Sequence, residues 1–334
     1  MAVLITGGSG FVGLNVAEAL LSRGGTVVTL SNGALPNAAR DDFIALPGTL
    51  VTVQGDVRDG DLVRRAIIEH GVDRVFHGAA ITADRQRELR STKEVVDVNV
   101  MGTVAVLEAA HQQGVRRVVY ASSGAVYGDA RFALEPLDET AAPSPGTLYG
   151  ITKLAGEMLV RRYRELRGLP AVSARMNAAF GPWERDTGVR DTLSPILELA
   201  VLAVRGERAR VRRGSPQDWI YSRDVAEACV ALLSTDDLPY EVYNVAPGAS
   251  WDLADWIDIL SVAYPGFEVE RDANEDHANV FEHTDPKRRK TPVCNDRIRE
   301  LVPEFPSHDR ARALEDFLAW ILGHADFVAG SSTT

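Results

Sequence analysis

Thr6-Gly7-Gly8-Ser9-Gly10-Phe11-Val12-Gly13 is the stretch on which the fold of this chain turns. It follows a short apolar run, Val3-Leu4-Ile5, and leads into residues 12–22, whose apolar positions recur at helical spacing. Gly7, Gly10 and Gly13 make a GxxGxxG pattern. Three demands favour glycine there: a turn at positive φ, a backbone that a pyrophosphate can approach, and a helix start packed closely on the strand. The helix N-terminus then offers free N–H groups and a positive dipole end to phosphate. Glycine turns are common, and the context of strand before and amphipathic helix after gives this one its meaning. It reads as a dinucleotide site, with Gly7, Gly10, Phe11, Val12 and Gly13 facing the cofactor.

Working outward, the first 175 residues repeat one rhythm of short apolar run, turn and amphipathic helix. Strands are predicted at 3–5, 26–30, 51–53, 74–77, 117–121 and 171–175, and helices at 12–22, 62–70, 95–113 and 148–167. Short apolar runs alternating with helices predict an α/β fold, a doubly wound parallel sheet covered on both faces. Beyond Gly181-Pro182 the rhythm loosens. Helices are expected at 192–205, 225–234, 253–263 and 310–323, a strand at 242–245, and a polar surface excursion at 270–292. The expected organisation is a dinucleotide-binding domain over 1–175, with parts of 215–246 returning to it. A smaller substrate-binding domain covers 176–324, and 325–334 is a disordered tail.

The chain has 334 residues, enough to bury a full core, and a formal net charge of -11. That charge argues against a nucleic-acid partner. The only cysteines, Cys229 and Cys294, lack CxxC spacing and suit a reducing compartment. No apolar run is long enough for a membrane span and no leader precedes the first strand, so the expectation is a cytoplasmic protein with no membrane partner.

The second strand ends Thr29-Leu30-Ser31-Asn32-Gly33, without the acid that would bond a ribose 2′-OH and repel a 2′-phosphate. Ser31, Asn32 and Arg40 are candidates to hold such a phosphate, so NADP is favoured over NAD. The alternative is plain turn residues and NAD held by other contacts. Asp56 and Val57, at the end of the third strand, are placed to meet the adenine.

Tyr149 and Lys153 stand four residues apart at the start of a helix and so share one face. A free tyrosine has a pKa near ~10, and a nearby ammonium favours the phenolate. A fall of ~3 units corresponds to about 4 kcal/mol, which Lys153 and an oxidised nicotinamide would share. Upstream, Tyr120-Ala121-Ser122-Ser123-Gly124 delivers hydroxyl groups to a strand's C-terminal end, the edge where open α/β sheets bind ligands. Ser123 is then placed to hydrogen-bond the substrate oxygen while Tyr149 moves its proton.

With these residues in place, the chain resembles the extended short-chain dehydrogenase/reductases of the NAD-dependent epimerase/dehydratase family. The matching elements are TGGSGFVG (6–13), DV (56–57), HGAA (77–80), NVMGT (99–103), SSGAVYG (122–128), YGITK (149–153), Arg175 with Gly181-Pro182, and DWIYSRDVAEA (218–228). The resemblance implies a Rossmann-type sheet, a catalytic triad of Ser123, Tyr149 and Lys153, and a cofactor site lined also by Ala79, Ala80 and Asn99. It implies a sugar-like, nucleotide-linked substrate met by Gly124, Asn177 and Ala178, and a homodimer formed through a four-helix interface from 95–113 and 149–167.

The departures matter as much. Dehydrating members place an Asp-Glu pair where this chain has Gly124-Ala125, which argues against 4,6-dehydration. An Asn of the family is here Ala178, and an Arg that grips the substrate diphosphate is here Gln217. Arg208, Arg210, Arg212 and Arg213 offer a displaced clamp or a solvated loop. Arg185, after Gly181-Pro182-Trp183-Glu184, matches an Arg that meets a sugar carboxylate in uronic-acid epimerases. Arg288, Arg289 and Lys290 form a further basic cluster, expected to be solvated. The leading expectation is epimerisation of a sugar through transient oxidation. The alternatives are net oxidoreduction of a smaller hydroxy or keto compound, and a non-catalytic cofactor sensor.

Overall fold

The computed structural model of the chain describes residues 1–132, 135–282 and 287–331. Its strands are β1 (Ala2–Thr6), β2 (Thr26–Ser31), β3 (Thr49–Gln54), β4 (Arg74–His77), β5 (Arg117–Ser123), β6 (Ala171–Met176), β7 (Ala179–Phe180), β8 (Ala209–Arg212), β9 (Ile220–Tyr221), β10 (Val242–Val245), β11 (Val269–Arg271) and β12 (Val280–Phe281). Its α-helices are α1 (Phe11–Ser22), α2 (Asn37–Ile44), α3 (Gly60–Glu69), α4 (Arg85–Val96), α5 (Gly102–Gln112), α6 (Leu148–Arg167), α7 (Pro195–Arg205), α8 (Ser222–Ser234), α9 (Ala254–Ala263), α10 (Asp296–Leu301), α11 (Arg310–Gly323) and α12 (Ala325–Ala329).

Seven parallel strands form the main sheet in the order β10-β6-β5-β4-β1-β2-β3. Strand β1 shows why it is covered on both sides. Val3 and Ile5 enter one core with α1 and α8 residues, while Leu4 enters the opposite core with Val63, Val106 and Val160. Each such fully buried aliphatic side chain contributes about 1.5–3 kcal/mol. Strand order reverses between β1 and β4, and at such a switch point the crevice outside the carboxyl ends of the strands is the natural ligand site. After building part of the second lobe, the chain returns to the sheet through β10, which pairs with β6 from Val242↔Ser173 to Val245↔Met176.

The second lobe is a three-stranded sheet, β11-β8-β12, with α7, α9 and α11. Its core is aromatic: Phe317 stacks on Trp256, whose Nε1 donates to Ile196 O at 2.8 Å. Among the described residues, no helix is long and apolar enough to cross a membrane.

Three expectations are corrected. The single helix over 95–113 is broken by a π-helical turn, Asp97–Met101, because the Asn99 side chain bonds the Ile81 backbone and Thr152. The tail is ordered through Ser331: Val328 is fully buried, the Phe327 ring meets Trp183 and Trp320, and Arg205 donates to Ala329 O. Residues 332–334 lie outside the described residues. The 270–292 stretch is no mere surface excursion, since β11 and β12 pair with β8 and Val280 is fully buried. Residues 283–286 of it lie outside the described residues.

Candidate active site

The glycine turn is built as its spacing requires. Gly7 adopts φ +70°, and a Cβ there would lie 2.8 Å from Ala79 N. A Cβ on Gly13 would lie 2.3 Å from Gly7 O, so helix and turn touch as closely as glycine allows. Gly10 caps α1 without any side chain occupying the first N–H groups. Ser31 Oγ accepts from Ser9 N at 3.0 Å and so helps hold the turn. These features leave a cradle that any side chain would fill, and it fits the pyrophosphate of a dinucleotide.

Two adjoining cavities share this turn. One, about 290 Å³, is lined by Ser31, Asn32, Asp56, Val57, Arg58, Ala79 and Ala80 among others. It suits an adenosine moiety. Arg58, unremarked in the sequence, chelates Asp56 and holds that carboxyl below its usual range. Arg40 does not reach the cavity. On α2, Ala39 and Phe43 turn inward and Arg40 is exposed. Asn99 is also absent from the lining. It sits behind, buried, tying residue 81 to Thr152 on α6.

The second cavity, about 380 Å³, brings together Ser123, Tyr149 and Lys153, the residues expected to handle the proton. Thr147 caps α6 through Gly150 N, fixing the turn that carries Tyr149 and Lys153. The Tyr149 phenol stands beside the hydroxyls of Ser123 and Thr82 in this cavity. Burial keeps its pKa above the ordinary value, opposed by those hydroxyls and by the Arg190 charge. Lys153 is 3% exposed, donates to Ala121 O at 2.7 Å and lies 5.6 Å from the centre of the Tyr149 ring. Burial lowers its own pKa to about 8. The expected lysine-driven fall in the phenol pKa is not seen: desolvation dominates, and the charge that opposes it is that of Arg190. Below the pair, His77 is held neutral between Thr6 and Thr103, its pKa pressed to about 3 by burial and then by Lys153.

At the far end the cavity is lined by Gly124, Asn177, Ala178, Arg131, Gln217 and Lys290. Asn177 donates to Asp218, and its Oδ1 is buried without a partner. Arg131 also pairs with Asp218. Lys290 Nζ has a neutral partner, Gln217 Oε1, at 3.2 Å. Burial, then Arg131, lowers its pKa to about 8. Lys290 was expected in solvent; three segments distant in sequence bring it inside. Among the described residues, no carboxylate lines this cavity.

Two expected substrate residues lie elsewhere. Arg213 is 64% exposed beside Asp272 and away from the cavity. Strand alternation explains its neighbours: Ala209 and Val211 point inward, while Arg208, Arg210 and Arg212 face Glu268, Glu270 and Glu275 as surface ion pairs. Arg185 lines the adenosine-side cavity and donates to Ser9 O at 2.7 Å.

A description of the NAD dependent epimerase/dehydratase family matches residues 3–246. The chain is 31% identical to the low-salt glycan biosynthesis protein Agl12 of Haloferax volcanii, over 95% of this chain and 98% of that one. It is 27% identical to a dTDP-glucose 4,6-dehydratase of Xanthomonas campestris, over 95% and 87%. The solved UDP-glucose 4-epimerase of Thermus thermophilus, in complex with NAD, superposes with a TM-score of 0.76 at 25% identity, over 99% of this chain and 100% of that one.

Proposed function

The chain belongs to the NAD-dependent epimerase/dehydratase family, and from that premise we propose that it epimerises a nucleotide-linked sugar by transient oxidation of a secondary alcohol. One observation carries the reading. Ser123, Tyr149 and Lys153 share a cavity with Arg131, Arg190 and Lys290, and no carboxylate among the described residues lines it. A dehydration needs acid and base groups to expel water; Gly124 and Ala125 supply none. The cations suit a substrate that carries negative charge away from its reacting carbon.

The residues divide the work. Tyr149 takes the proton of the substrate hydroxyl, and Ser123 hydrogen-bonds the same oxygen. Lys153 and Arg190 supply positive charge to the phenolate that forms. Bound at the glycine turn, the nicotinamide cofactor supplies reversible hydride acceptance. Tyr149 returns the proton after the sugar presents its other face, and Asn177 Oδ1 is free to accept from a sugar hydroxyl.

For the cofactor the reading is NAD. Ser31 is engaged with the glycine turn and Arg40 faces solvent, which leaves Asn32 alone of the three residues that favoured a 2′-phosphate. For assembly the reading is a homodimer through α5, the π-helical turn before it and α6, where Met101 on the turn and Ile151 and Met158 on α6 leave apolar surface exposed. A Met158→Glu variant is expected to sediment as a monomer.

Gln217, a neutral residue at the cavity's cationic end, favours a second reading, net oxidation or reduction of a smaller hydroxy compound. Incubation with UDP-glucose, UDP-galactose and UDP-glucuronate, with chromatography and absorbance at 340 nm, separates the two. Epimerisation gives a new sugar nucleotide with no net absorbance change. A steady absorbance change with added cofactor contradicts it.

A further inference from the structure

We propose that Arg185 is a cofactor ligand that grips the pyrophosphate of the bound dinucleotide, rather than a substrate ligand. The proposal rests on the dinucleotide reading of the glycine turn given above.

The Arg185 guanidinium lies against that turn. Its Nη2 donates to Ser9 O at 2.7 Å, and it lines the same cavity as Gly7, Ser9 and Gly10. Its Nη1 is fully buried and has no partner. Burial alone pushes its pKa down, with no carboxylate restoring it. The two neighbouring arginines are balanced: Arg190 pairs with Glu184 at 2.8 Å, and Arg87 with Asp191 at 2.6 Å. Arg185 thus holds a partly buried cationic fork against a single neutral carbonyl. Such a charge is costly unless paired. The anion that lies on a glycine turn of this kind is a diphosphate, and guanidinium pairs with phosphate oxygens through two N–H groups at once.

The surrounding backbone holds the arginine in place. Trp183 adopts φ 69°, sparsely populated for a residue with a side chain, and is fully buried, with Nε1 donating to Glu18 at 2.7 Å. Glu184, next in the chain, accepts from Ser194 N and Oγ. Beyond Arg185, the strap is pinned across the cleft: Thr82 N donates to Val189 O at 2.8 Å, and Asp191 N to Thr82 O at 3.2 Å. The residue that these contacts turn toward the substrate cavity is Arg190.

The test is calorimetric titration of the purified full chain with ADP-ribose, which carries the pyrophosphate, and ligand-detected NMR with adenosine, which does not. Wild type is compared with Arg185→Gln and Arg185→Lys. The expected result is ADP-ribose affinity about 10- to 100-fold weaker in Arg185→Gln, intermediate in Arg185→Lys, and adenosine affinity within twofold throughout. Unchanged ADP-ribose affinity in Arg185→Gln overturns the proposal, as does an equal loss for both ligands, which marks a disturbed fold. Wild type that binds no ADP-ribose overturns the dinucleotide reading itself.

Discussion

The two ends of the catalytic cavity differ in how their polar groups are satisfied. At the Tyr149 end the charged and ring nitrogens are held by the fold: Lys153 meets Ala121 O and His77 is bonded on both ring nitrogens. The phenol stands beside Ser123 and Thr82, although the Tyr120 hydroxyl behind them is buried without a partner. At the Lys290 end groups are left wanting: Asn177 Oδ1 and Arg131 Nε are buried without partners, and Lys290 meets the neutral Gln217. Leaving a buried polar atom unpaired costs about 1–3 kcal/mol. On the proposed reading, the first end is preorganised for proton transfer and the second awaits a ligand that completes it.

Four variants or conditions break or sharpen this contrast. The largest effect is expected from Tyr149→Phe, which removes the proton carrier and leaves the far end intact. Steady-state kinetics should show kcat lower by about 10²- to 10⁴-fold with KM little changed. Lys290→Met attacks the other end. KM for a UDP-sugar should rise about 10- to 100-fold while kcat stays within a few-fold. Equal effects of both variants on kcat would abolish the distinction.

Gly124→Ala joins the two ends, because its new Cβ would lie 2.4 Å from Asn177 Oδ1. Asn177 is tied to Asp218 and cannot yield freely, so kcat and KM should both worsen, and thermal denaturation should show a loss of about 1–3 kcal/mol. The mildest lever is pH. The ammonium of Lys290 is charged below its pKa of about 8 and neutral above it. KM in wild type should therefore climb as pH passes through 8, and that rise should vanish in Lys290→Met. A rise that persists in the variant assigns it to another group.

How much was legible in the sequence follows the same division. Tyr149 and Lys153 lie one helical turn apart, and Ser123 ends the strand beside them, so local spacing carries that end of the cavity. The glycine turn is local too. Arg131, Gln217 and Lys290 come from three segments that only the fold assembles, and a single sequence holds no signal for their meeting. Arg213 failed because it lies just past the end of β8 and faces solvent beside Asp272, while alternation along the strand turns Arg210 and Arg212 to the surface. Arg40 failed for the same kind of reason on a helix: its inward neighbours Ala39 and Phe43 decide which way it faces. Arg185 was expected at the substrate and lies instead against Ser9 of the glycine turn, and the positive φ of Trp183 two residues before it leaves no trace in residue spacing.

The most direct measurement follows an isotope. A UDP-hexose carrying deuterium on the carbinol carbon at C4 is incubated with the protein in ordinary water, and the product is read by mass spectrometry and NMR. The account predicts a C4 epimer that keeps its deuterium on that carbon, formed without net change at 340 nm. Deuterium lost to solvent, or a product lacking water, would contradict it.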